Sequence, residues 1–141
     1  MLSVITLLLG AVLASLAIVH VYWALGGRWA LEGAVPTKEG EPLFEPGPLA
    51  CLAVALGLMA AAGAVFWCGE SLYLDLPNHL ARWAVAFLAV LFFLRSVGDF
   101  RYVGFFKRHK GTLFARRDSR LYSPLCLVLS VLSASVGFLA P

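Results

Sequence analysis

Apolar residues in this chain come in four long runs and do not alternate with polar ones. Leu2 to Leu25 holds no acid or base except His20, and Pro48 to Cys68 holds none. Leu80 to Leu94 carries only Arg82, near its beginning, and Ser123 to Leu139 carries none. A helix that crosses the hydrocarbon of a bilayer needs about 20 residues, at about 1.5 Å of rise each. The first two runs meet that length outright. The third needs to continue past Arg95, and the fourth needs to begin before Pro124 or to sit in a thinned bilayer. Backbone polar groups find no partner in lipid, so runs of this kind predict helices. The expected fold is all-α, with four transmembrane helices over residues 2–25, 48–68, 79–100 and 121–139 in a single domain, 1–141.

The first run is read as a span and not as a cleaved signal peptide. Its amino end has no basic flank, and it exceeds the roughly 7–15 apolar residues of such a segment. Composition agrees: of 141 residues 61% are hydrophobic and 13% charged, where a soluble domain carries about 25% charged. The net charge of +3 does not suggest nucleic acid, because a basic groove needs a soluble scaffold behind it.

Charge placement says more than its sum. Eight of the 11 Lys and Arg residues fall between Arg95 and Arg120. Four spans put the 26–47 and 95–120 loops on one face, and both termini with the 69–79 loop on the other. The first face then holds ten bases, against Arg82 alone on the second. The positive-inside bias predicts cytoplasmic loops and external termini. Tyr73, Trp67 and Trp83 are expected at the outer interface, and Trp23, Trp29, Tyr102 and Tyr122 at the inner one.

The two long loops echo each other. Each leaves its helix through Gly (Gly27, Gly98), then Arg and an aromatic (Arg28-Trp29, Arg101-Tyr102), and passes a Lys near a Gly and a Leu-Phe pair. Each enters its next helix through Pro-Leu and Cys-Leu (Pro48 to Leu52, Pro124 to Leu127). This order fits a helix-loop-helix unit duplicated in parallel, with Pro in the first turn of the second helix of each unit. Ser123 is the expected N-cap of the fourth helix.

The segments "HVYWALGG", "VPTKEGEPLF", "RSVGDFRYVGFFKR" and "DSRLYSPLCL" resemble the recurring blocks of a bacterial integral-membrane family known as domain of unknown function 3995. The resemblance covers nearly the whole chain. It implies four helices in a bacterial cell membrane and brings no activity, substrate or catalytic residue.

Ionisable groups in or near a span are the candidates for chemistry, since each costs about 2.5–3.5 kcal/mol at the helix centre on insertion scales. Arg95, Asp99, Tyr102 and Phe106 form one stripe if the third helix runs through them, so an Arg95–Asp99 pair is expected. His20 shares a helix face with Trp23 and is expected to hydrogen-bond a neighbouring helix, with Asp99 or Tyr122 as partner. The expected ligand site is a cytoplasm-facing pocket of His20, Arg95, Asp99, Arg101 and Tyr122. Its arginines suit an anionic lipid headgroup or a phosphate-bearing ligand. No metal site is expected: His20, Cys51 and Cys126 fall at similar depth but lack ligand spacing. No nucleotide or hydrolase fingerprint marks a cofactor or a reaction. The alternatives are an accessory subunit that docks a protein partner or a second copy through its charged loops, and a membrane enzyme acting on a lipid or quinone.

Overall fold

The computed structural model describes residues 1–69 and 77–140. Among these, four helices are long and apolar enough to cross a membrane: Leu2–Ala24, Pro48–Cys68, Asn78–Val97 and a composite from Leu113 to Leu139. The first three are α1, α2 and α3. The composite runs through α4 (Leu113–Arg117), a π turn (Asp118–Tyr122) and α5 (Ser123–Leu139) without a break. Among the described residues, sheet is confined to a minimal antiparallel hairpin in the first loop, with β1 (Thr37–Lys38) paired on β2 (Glu41–Pro42) in the register Thr37 to Pro42. Tyr73 lies outside the described residues.

The helices pack as two antiparallel hairpins. α1 lies chiefly on α2, and α3 on α5, with α2 and α3 joining the pairs. Gly10 shows why the first pair approaches closely: a Cβ there would collide with the Phe66 ring. In the second pair, Ser130 Oγ donates to the Ala89 carbonyl at 2.7 Å, a polar link of the kind that joins helices in lipid. Leu9, Leu13, Val65, Val85, Leu129 and Val136 form the shared core, each at most 1% exposed. Only 28% of each span is buried within the protein. The outward faces carry Leu7, Leu8, Ile18, Leu56, Phe87 and Val131. Such a surface is unsuited to water and matched to acyl chains.

Two helix boundaries differ from the sequence expectation. α3 stops at Val97, because Gly98 follows at φ +89, and the stripe from Arg95 to Phe106 does not form. The fourth span starts at Leu113, where Thr112 caps it by accepting the Ala115 N–H at 3.1 Å. Ser123 lies inside the composite helix and caps nothing; its N–H bonds back to the Asp118 carbonyl across the π turn. The early start supplies the length that the apolar run after Ser123 lacks.

Candidate functional site

Between α3 and α4 the chain turns within a few residues around two glycines held back to back. Gly98 and Gly104 both have φ +89, and a Cβ on either would strike the backbone of the other's neighbourhood. Asp99 stabilises the turn by accepting the N–H groups of Arg101, Tyr102 and Val103 at 2.9, 2.8 and 2.9 Å. Burial alone would raise its carboxyl pKa, but the backbone donors together outweigh it and hold the group below the usual carboxylate range. The Phe105 N–H returns to the Ser96 carbonyl at 2.9 Å and closes the loop.

Asp118 anchors this loop to the fourth span. Its carboxylate is fully buried and accepts the Arg95 guanidinium at 2.9 Å through Oδ1. Its Oδ2 accepts Lys107 Nζ at 2.8 Å, the Gly104 N–H at 2.8 Å and the Ser123 hydroxyl at 3.2 Å. Lys107 is 2% exposed, and its ammonium also donates to the Gly104 carbonyl and to Ser119 Oγ, both at 2.8 Å. All three ammonium protons are thus placed, which is what allows a lysine to be buried at all.

The Arg95–Asp99 pair expected from the sequence is therefore replaced by Arg95–Asp118. α3 ends before Asp99 can share a face with Arg95, and Asp99 turns to its own loop. Lys107 and Asp118 were not among the expected site residues. One signal pointed to them: from residue 100 to Arg120 Asp118 is the sole acid among seven bases.

The other expected residues are dispersed. Tyr122 sits beside Phe114, with ring centroids 6.1 Å apart. The Arg101 side chain is exposed, and its carbonyl accepts the N–H groups of Arg108 and His109. Tyr102 stacks on the His109 ring at 4.6 Å. His20 bonds to its own helix, Nδ1 to the Leu16 carbonyl at 2.7 Å, and among the described residues to no neighbouring helix. Its ring meets Trp23 edge-on at 4.9 Å.

His20 does line a cleft, but a different one. A space of about 230 Å³ beneath the first loop is bounded by His20, Trp23, Phe44 and Cys51. It adjoins a cleft of about 670 Å³ that reaches Arg28, Glu32 and Glu45. Neither is lined by Arg95, Asp99, Arg101 or Tyr122. Cys126 does not reach them either, and among the described residues no three potential ligands gather around a metal position.

The bases that remain form a surface. Of the eight from Arg95 to Arg120, Arg95 and Lys107 are bound to Asp118. Arg101, Arg108, Lys110, Arg116, Arg117 and Arg120 are exposed, and none has a carboxylate partner among the described residues. Arg117 lies against Gly33, where its guanidinium fills the space a Cβ would need, and ties the fourth span to the first loop.

The family model described as "Protein of unknown function (DUF3995)" matches residues 13–133. No curated protein and no solved structure matches the chain.

Proposed function

Since the chain belongs to this family of unknown function, DUF3995, we propose its role from its own residues: it is a multi-pass membrane protein that gathers anionic lipid headgroups on the basic surface of its 95–120 segment. The observation that carries this reading is the set of six exposed bases without a carboxylate partner among the described residues. Of the two acids of that stretch, Asp118 is buried and Asp99 accepts the N–H groups of its own loop. A basic residue near an anionic membrane surface gains about 1 kcal/mol, and arginine holds phosphate through two parallel hydrogen bonds. In this reading both long loops face the cytoplasm and both termini lie outside, as the positive-inside bias favours. The cell membrane of a bacterium is the proposed location.

The test is lipid enrichment. The protein is reconstituted in nanodiscs of phosphatidylcholine with a minor share of phosphatidylglycerol, and the bound lipid is read by native mass spectrometry. Phosphatidylglycerol is expected to be enriched, the more so at low salt. Joint replacement of Arg101, Arg108, Lys110, Arg116 and Arg120 by Gln is expected to remove the enrichment and leave the fold. Unchanged lipid composition in the variant would refute the reading and turn attention to a protein partner.

A further inference from the structure

The clefts beneath the first loop are separate from the basic surface and carry a ligand chemistry of their own. The two spaces, about 230 Å³ and about 670 Å³, share Trp23, Leu31, Val35, Phe44 and Pro46 as walls. A pocket for a small organic molecule measures roughly 300–1,000 Å³ and is mostly apolar with a few placed polar groups. His20 is the polar group at the inner end. A carbonyl oxygen can only accept, so the 2.7 Å contact with Leu16 fixes the proton on Nδ1. In the uncharged ring Nε2 is then an acceptor, and it has no partner among the described residues. It calls for an O–H or N–H donor.

The larger cleft sets the charge of that donor. Glu32 and Glu45 line it with Arg28 alone to oppose them, so an anionic head is disfavoured. An ammonium head would have to shed its hydration against the apolar walls beside His20. A neutral hydroxyl remains. Trp23 and Phe44 offer aromatic surface in both spaces, which favours a ring over a plain acyl chain.

We propose that this cleft binds a neutral hydroxylated aromatic amphiphile, a phenol or hydroquinone with an apolar tail, whose O–H donates to Nε2 of His20. The ring lies against Trp23, and the tail leaves along the apolar wall of Leu31 and Val35. The site is independent of the basic surface and stands or falls without it.

The experiment compares nonylphenol with nonylanisole, its methyl ether, which has the same ring and tail but no donor. Binding is measured by calorimetry on the full chain in nanodiscs, with empty nanodiscs as the partition baseline. Nonylphenol is expected to bind saturably and about tenfold more tightly than nonylanisole, the difference one hydrogen bond makes. His20→Phe is expected to erase the difference, and Val35→Trp to lose both ligands by filling the cleft. Equal affinities in the wild type, or a preference that survives His20→Phe, would overturn the proposal. A photoreactive diazirine analogue of nonylphenol locates the site without any substitution. Adducts on Trp23, Phe44 or Val54 support it, and adducts elsewhere exclude it.

Discussion

Lys107 and Asp118, eleven residues apart, meet through a 2.8 Å contact between Nζ and Oδ2, in a place where neither side chain is more than 1% exposed. A buried ion pair adds little net stability over an apolar pair of the same shape, but losing one partner leaves the other charge uncompensated. Asp118 also holds Arg95 and the Gly104 N–H. It therefore joins three segments of chain: the end of α3, the loop and the fourth span.

Asp118→Asn is expected to cost about 3–5 kcal/mol, because Lys107 keeps its charge and loses its anion. Lys107→Met is milder, since Arg95 still faces the carboxylate. Asp99→Ala costs about 1 kcal/mol, because its three backbone donors lie at the exposed edge and water replaces the carboxylate. Thermal unfolding in detergent gives the order. If Asp99→Ala proves the most damaging of the three, Asp118 is not the anchor.

Gly98→Ala and Gly104→Ala are each expected to destabilise by more than about 1 kcal/mol. Both positions have φ +89, and the new Cβ meets backbone that cannot move aside. Gly111→Ala, where nothing lies within 4 Å, is the control and is expected to be near neutral. Limited proteolysis of the 98–107 loop should rise in the first two variants and not in the third.

Acid should weaken the turn through Asp99. Its folded pKa lies below the ordinary value of about 3.9. The contribution is present above that value and is lost as pH falls through the lower folded pKa. Asp99→Asn keeps an acceptor but cannot titrate. Melting temperatures of the two proteins are expected to differ at neutral pH, in favour of the wild type, and to draw together as pH falls below that ordinary value. A gap that stays constant through that fall would mean that ionisation of Asp99 contributes nothing.

Orientation is testable with a single thiol. In a background where Cys51, Cys68 and Cys126 are replaced by Ala, Gly111→Cys is expected to react with an impermeant maleimide in inverted vesicles and not in intact cells. A reporter fused at the carboxyl end is expected to read as external. Labelling of Gly111→Cys in intact cells would reverse the proposed topology and place the basic surface outside.

How far the chain could be read without a structure varied with the kind of information. The four spans were legible because four long, almost uncharged apolar runs leave lipid as the one compatible solvent. The site was less so. A stripe through Arg95, Asp99 and Tyr102 assumes an unbroken helix, and Gly98 breaks it. Its positive φ decides where Asp99 points, and residue spacing carries no trace of φ. Lys107 looked like one base among eight; its burial depends on a turn that brings Gly104, Asp118 and Ser119 around one ammonium. His20 was expected to reach across to another helix, yet the Leu16 carbonyl one turn back was the nearer acceptor.

The pairing of α1 with α2 and of α3 with α5 has a consequence for how the protein is made. Each helix finds its main partner in the neighbouring stretch of chain, so a hairpin can close as soon as its second helix leaves the ribosome. Docking between hairpins then needs only the α2–α3 seam and the shared core around Val65 and Val85. Two genes, one encoding each hairpin, should therefore yield chains that insert separately and reassemble in the bilayer. In that arrangement the Asp118 anchor would be completed within the second chain alone.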